Sequence, residues 1–358
     1  MTAGKGRKDL PTMMDVARTA GVSKSTVSRA FTQPGMLGAE TVARILEIAS
    51  SIGYVPNHTA RALSTGRYGN VALVVPDVAN PFFPPLIRAA QMEADRSDFC
   101  VFLGNSDESW RQEDKLVDRF LSQVEGLVLC ASRLTDERIR AHALKRPLVL
   151  VNRDVPGIPR VLIDSAIGVR EAIAHLAELG HKHIVYVSGP ASSWSNQQRR
   201  AAVRLGARQH RLEVSIVAAR VPSYESGRAV VPDILATGAT AAIAFDDLTA
   251  QGIMTGLADR GVSVPADFSI VGCDDVLGAA TYPSLTTVSN RSDETGRAAM
   301  SLLLDMLGSR AVGDARVTLD TYLVVRNTTA PPPNRPPAPA RAAPPPLIPP
   351  RKGEGDAN

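Results

Sequence analysis

No apolar run in the 358 residues approaches the ~20 needed to cross a bilayer, and the opening "MTAGKGRKDL" lacks the apolar centre of a secretion signal. The expectation is a chain that stays in the cytoplasm and off the membrane. Cysteine is scarce: Cys100, Cys130 and Cys273 lie far apart, each in an apolar, strand-like run ("DFCVFLG", "GLVLCAS", "IVGCDDV"). That spacing excludes a metal knuckle or redox motif and predicts buried, reduced thiols. No G-x-S-x-G elbow, phosphate loop or dinucleotide fingerprint occurs, so neither an enzyme nor a cofactor is expected. Strong net charge is missing too, at +4, but its distribution is uneven. Residues 1–68 hold nine Lys and Arg against four Asp and Glu, and the remainder is near neutral. A basic head on a neutral body predicts a polyanionic partner for the head alone.

What is present is enough for two or three domains with filled cores, at 44% apolar residues. From about residue 70 to 328, apolar runs of strand length alternate with helix-period segments. The strand candidates are 71–76, 99–104, 126–131, 147–152, 184–189, 241–245 and 269–273, and the helix candidates include 83–96, 110–122, 167–179, 196–211 and 247–260. Near-continuous Val, Ile and Leu predicts burial on both strand faces, hence parallel sheets covered by helices. The length and number of repeats predict two such units, with ligands at the carboxyl ends of strands. From Ala330 the chain turns Pro-rich, with eleven of its 26 prolines, and is expected to be a disordered tail over 330–358.

Ahead of these repeats the pattern is helical. Thr12 and Asp15 have the spacing of an N-cap and its return acceptor, so a helix is predicted from Met13 to about Thr19. Gly21 permits a turn and Ser23 caps a second helix over about 24–31. A third, over about 39–52, offers Val42, Ile45, Leu46 and Ala49 as a floor. Small alanines let the first two helices cross closely. This is a helix-turn-helix whose second helix leaves Lys24, Ser25, Ser28 and Arg29 outside, a set of short hydroxyls and cations suited to a major groove. The segment 55–66 reads as a further short helix, with Asn57 as its cap and Ala60, Ala62 and Leu63 along it, although its eight residues do not hold a helix alone.

Taken together, "DVARTAGVSKSTVSRAF…GYVPNHTARALSTGR" closely resembles the amino-terminal domain of the LacI/GalR family of bacterial transcription regulators. "NPFF", "HLAELGHKHIVYVSGP", "VPADFSIVGCDD" and "PSLTTV" resemble the family's body. The resemblance implies an all-α helix-turn-helix domain at 10–56, a hinge helix at 57–68 and an α/β, two-lobed, periplasmic-binding-protein-like core at 69–329. Lobe 1 would take about 69–162 and 290–320, lobe 2 about 163–289 and 321–329. It also implies a sequence-specific DNA-binding regulator, a repressor, acting as a homodimer on palindromic operator DNA under allosteric control by a small effector, most simply a sugar. Lys24, Ser25 and Arg29 then fall where bases are read, and Thr12, Ser23, Thr26 and Ser28 complete the DNA-facing set through phosphate contact or capping. Asn57 and Ala60 belong to the hinge helix, and Leu63 matches a leucine that wedges into the minor groove.

For the effector, the family pattern favours Arg199 over its neighbour Arg200 and matches Asp274. Phe82 and Phe83 correspond to aromatic pocket walls. Asp246 stands where relatives often carry asparagine, a departure that weakens any borrowed ligand identity. Asn152 and Asp154 at another strand end reach ligand or bridge the lobes, and Trp194 stacks on a sugar ring or covers the pocket edge. Asp247 and Asp275 are read as local caps. His175, His181 and His183 suggest a metal at first sight, but Gly180 ends their helix and disperses them, so no metal is expected. A nucleoside satisfies the same polar and aromatic set. A protein corepressor, or no effector, keeps the DNA-binding role, and a stand-alone sugar-binding protein fits the body without the basic head.

Overall fold

Thr12 and Asp15 open the first helix, α1 (Met13–Ala20), through a reciprocal capping box: the Thr12 hydroxyl accepts from the Asp15 amide, and the Asp15 carboxylate accepts from the Thr12 amide at 2.9 Å. Gly21, at φ 66°, takes the left-handed turn that ends it. Ser23 accepts from the Thr26 amide at 3.1 Å and starts α2 (Lys24–Thr32), and α3 (Ala39–Ser51) follows. Val16, Val27 and Ile45 are fully buried where the helices meet, and Ala17, Ala20, Ala30 and Ala49 let them approach. Each buried Val or Ile stabilises this small core by about 1.5–3 kcal/mol. Leu46 does not join the floor: it is 43% exposed, because the inward stripe of α3 runs through Ile45, Ile48 and Ala49.

The computed structural model describes residues 11–55, 68–219, 221–310 and 312–333. Asn57, Ala60, Leu63 and the chain beyond 333 lie outside the described residues. Residues 1–68 and 69–358 form separate compact units.

In the second unit, six parallel strands make one sheet: β1 (Asn70–Val75), β2 (Cys100–Asn105), β3 (Gly126–Cys130), β4 (Leu148–Val151), β5 (Arg160–Asp164) and β11 (Arg316–Asp320), in the order β11-β5-β4-β3-β1-β2. Helices α4 (Phe83–Asp95), α5 (Trp110–Phe120), α6 (Asp136–Ala143) and α12 (Ser292–Leu307) belong to this lobe. α4 and α12 pack so closely that a Cβ on Gly296 would stand 2.1 Å from the Leu86 carbonyl oxygen. The central strands are buried on both faces, which is why they read as continuous apolar runs. β2 is an edge strand, and Cys100 is therefore exposed rather than buried; Cys130 and Cys273 are buried.

The second lobe repeats the plan. β6 (His183–Ser188), β7 (Glu213–Ala218), β8 (Ala241–Ala244), β9 (Ser269–Asp274) and β10 (Thr286–Ser289) run parallel, and β12 (Tyr322–Val324) adds antiparallel to β10. Its helices are α7 (Ser165–Glu178), α8 (Trp194–His210), α9 (Tyr224–Ala229), α10 (Val231–Ala236) and α11 (Asp247–Ala258). The chain crosses between lobes three times, at β5 to α7, β10 to α12 and β11 to β12. Ala330, placed in the tail by the sequence, is bonded into this lobe through Ser269 and His181. Among the described residues no helix is long and apolar enough to cross a membrane.

Candidate functional site

On α2 the inward positions are Val27 and Ala30, so Lys24, Ser25 and Arg29 are left exposed on the other side. Neither Lys24 nor Arg29 has an ion-pair partner among the described residues. The Ser23 hydroxyl contacts those of Ser25 at 2.7 Å and Thr26 at 2.8 Å, and Thr12 is engaged with Asp15 at 2.7 Å. These hydroxyls fix the two helix starts. The two cations stand free to meet an external polyanion, and Ser25 is exposed beside them with its hydroxyl on Ser23.

In the core, the carboxyl ends of strands from both lobes converge on one cleft. Phe82, Phe83 and Asn80 follow β1, Asn152 follows β4, Ser193, Ser195 and Arg199 follow β6, Phe245 and Asp246 follow β8, and Asp274 ends β9. The cleft holds about 60 Å³, well below the ~300–1,000 Å³ of typical ligand pockets, so a sugar-sized guest requires the lobes to open. Asn80 Nδ2 donates to Asp246 Oδ2 at 3.2 Å and joins the lobes directly.

Arg199 enters from α8 and is 5% exposed. Its guanidinium donates to the Phe245 carbonyl, lies 5.0 Å over the Phe245 ring and approaches Asp274 Oδ1 at 3.6 Å, while its Nε has no partner. Arg200 is half-buried and outside the cleft lining. Asp274 accepts from Asn290 Nδ2 at 2.7 Å. Burial raises the carboxyl pKa of Asp246 and raises that of Asp274 well above the usual range, with Arg199 opposing both shifts.

Three expectations need correction. The cap of α11 is Asp246, whose Oδ1 accepts from the Thr249 amide at 2.7 Å, and not Asp247. Asp247 instead turns into the lobe and accepts from Thr287 Oγ1 at 2.5 Å and from the Val276 and Leu277 amides. Asp154 does not reach the cleft, because Arg160 and Arg316 hold it at the sheet edge. Trp194, half-buried at the start of α8, is not among the lining residues. Asp275 pairs with Arg326 at 2.6 Å. The three histidines go to separate partners: His175 to Thr329, His181 to Thr240 and the Ala330 carbonyl, His183 to Ser215.

Sequence reasoning missed the pair Glu108 and Arg133, which lines the first lobe's side of the cleft. Arg133 Nε donates to Glu108 Oε2 at 2.7 Å, and the Arg133 amide donates to Glu113 at 2.8 Å. Glu113 is buried beneath this loop, and burial raises its pKa. Both lining residues follow strand ends, "FLGNSDE" and "VLCASR", so the rule that found the other loops applies to them equally.

The family profile described as "Bacterial regulatory proteins, lacI family" matches residues 12–57, and one described as "Periplasmic binding protein-like domain" matches 173–329. The HTH-type transcriptional repressor CytR of Escherichia coli (strain K12) is 30% identical over 334 residues, 91% of this chain and 98% of the relative. The ribose operon repressor of Bacillus subtilis (strain 168) is 27% identical over 323 residues, 89% of this chain and 99% of the relative. A crystal structure of the Lac repressor dimer bound to operator and the anti-inducer ONPF is similar with a TM-score of 0.81 at 26% identity, covering 89% of this chain and 99% of the other.

Proposed function

The chain belongs to the lacI family of bacterial regulatory proteins, and on that premise we propose that it represses transcription from palindromic operators as a cytoplasmic homodimer, without catalytic activity, under control of a small sugar effector. Lys24, Ser25 and Arg29 read bases, while Thr12, Ser23, Thr26 and Ser28 sit against phosphates or cap their helices. Asn57, Ala60 and Leu63 act in the hinge. One such module covers too little surface for tight specific binding, and a twofold pair on two half-sites supplies the rest.

The observation that carries this reading is one chain joining a helix with unpaired Lys24 and Arg29 to a cleft between two lobes that holds Arg199, Asp274 and three phenylalanine rings. A guest in the cleft changes the angle between lobes, and operator affinity follows; by linkage, operator changes effector affinity by the same factor. Phe82, Phe83 and Phe245 also give flat faces for a base, which favours a nucleoside as the second reading. The test is selection of duplexes from a random pool by the full chain, then titration of the winner with and without sugars and nucleosides. No preference for any duplex over random competitor sinks the reading. Preference without any metabolite response sinks the effector half alone.

A further inference from the structure

We propose that the cleft selects an effector with a protonated amine beside a hydroxyl, an amino sugar, and that Asp246 is the residue that takes the ammonium group. The inference rests on the sugar-effector reading above.

Five charged side chains line the cleft: Glu108, Arg133, Arg199, Asp246 and Asp274. Arg133 closes on Glu108 at 2.6 Å, and Arg199 faces Asp274 at 3.6 Å. That leaves Asp246 over. It is 2% exposed, and its hydrogen bonds come from neutral donors, the Thr249 amide and the Asn80 side chain. Its neighbour Asp247, 1% exposed, is also held by neutral groups alone, Thr287 Oγ1 and two backbone amides. Capping α11 does not call for the charge, since asparagine caps a helix as well as aspartate does. Arg199 is thus the one cation shared by two buried carboxylates, Asp246 and Asp274, and a ligand ammonium supplies the second.

A second, independent feature fixes what must accompany the amine. Arg199 lines the cleft, is 5% exposed, and its Nε is buried with no acceptor. The same guanidinium reaches the Phe245 carbonyl, the residue before Asp246. The Arg199 guanidinium is anchored on the residue before Asp246, and both side chains line the one cleft, so a ligand oxygen for Arg199 and a ligand ammonium for Asp246 belong on one small molecule. Phe82, Phe83 and Phe245 provide π faces that favour both the ring and the cation. The ammonium group displaces the Asn80 amide, whose Oδ1 stays anchored on the Phe82 amide at 2.9 Å, so the direct bond between lobes becomes one mediated by ligand.

The test is calorimetric titration and thermal unfolding of the full chain at pH 7 with matched pairs, D-glucosamine against D-glucose and D-galactosamine against D-galactose. The amino member of at least one pair is expected to bind about tenfold tighter or more, as a charge-assisted bond replaces a neutral one. Asp246→Asn, which keeps the helix cap, should bring the two members within about twofold. Raising the wild type to pH 9.5, where the amine is neutral, should do the same without a mutation. Equal or tighter binding of the neutral hexoses overturns the amine inference and leaves the sugar reading standing. Silence toward all four overturns the amino-sugar inference, and the wider sugar and nucleoside titration above decides the sugar reading separately. A preference that survives Asp246→Asn or pH 9.5 removes Asp246, or the ammonium charge, from the selection.

Discussion

Arg29→Ala isolates base reading from folding. The α2 helix is held by the Ser23 cap and by Val27 and Ala30 on its inner face, while Arg29 is exposed on the outer one. Its backbone carbonyl accepts from the Gln33 amide at 2.7 Å, a bond that survives the substitution. Arginine and alanine both favour helix, so stability should change by no more than about 0.5 kcal/mol. Loss of a bidentate contact to guanine costs about 1–3 kcal/mol per half-site. Two half-sites in a dimer double that to about 2–6 kcal/mol, a loss of about 30-fold to 20,000-fold in affinity. Fluorescence anisotropy on the selected operator and on a scrambled duplex reads both numbers. Specific binding should collapse toward the nonspecific level, while the scrambled duplex loses at most the share of two charges, one per protomer. A variant that keeps its preference for the operator, with an unchanged unfolding midpoint, refutes the assignment.

The other predictions concern the core. Arg199→Ala should erase the effector response, read as the shift in operator affinity on adding ligand, and leave DNA binding without effector intact; retained response moves the site elsewhere. Asp247→Asn should remove a pH dependence of stability. Burial lifts the Asp247 carboxyl from 3.8 to about 6, so the folded state holds a proton that the unfolded chain has released between those values. Stability from this group is therefore highest at low pH and falls by about 2 kcal/mol as pH rises from 4 to 6. Urea titrations of both proteins from pH 4 to 7 check this, and parallel curves would count against it. Gly252→Ala places a Cβ 2.0 Å from the Tyr224 carbonyl oxygen and 2.9 Å from the Arg228 amide nitrogen, forcing α9 and α11 apart. A loss of about 3 kcal/mol is expected in the same assay; wild-type stability would show that the helices slide apart freely.

Local signals carried most of the fold. Thr12, Asp15, Gly21 and Ser23 specify helix ends within a few residues, so α1 and α2 were legible from the sequence. "VALVV", "GLVLC" and "AAIA" announce central strands because both faces are buried. β5 was not legible: it opens on Arg160, a buried cation held by Asp154 and Asp314, and that charge disguises a core strand. Its neighbour β11 arrives from 156 residues further along, a pairing no local pattern contains. The same limit applies to the site. Phe82, Phe83, Asn152, Arg199, Asp246 and Asp274 gather because strand ends collect ligands, whereas Asp154 obeys the same rule and is drawn off by Arg160 and Arg316. Which of two adjacent aspartates caps α11 is decided by the turn into the helix, and Cys100 is exposed because no strand among the described residues pairs beyond β2.

Backbone strain separates the cleft from the rest of the sheet edge. Among the described residues ten other than glycine have positive φ, and four of them, Glu108, Ala131, Asn152 and Asp274, line this one cleft. Such conformations cost about 1–3 kcal/mol each and persist only where surrounding structure dictates them. Here the dictating structure is two parallel sheets whose strands end together, with Asn152 Oδ1 held by the Ile163 amide at 3.1 Å and Asp274 by Asn290 at 2.7 Å. Asn290 lies at the crossover from β10 to α12, next to Arg291 at φ 47°, so Asp274 is bonded to one of the three crossovers between the lobes. A guest that moves Asp274 necessarily works against that crossover, and a change in lobe angle necessarily alters Asp274. The Asn290–Asp274 bond therefore gives cleft and crossover a direct physical connection, the kind of link through which a coupling energy acts.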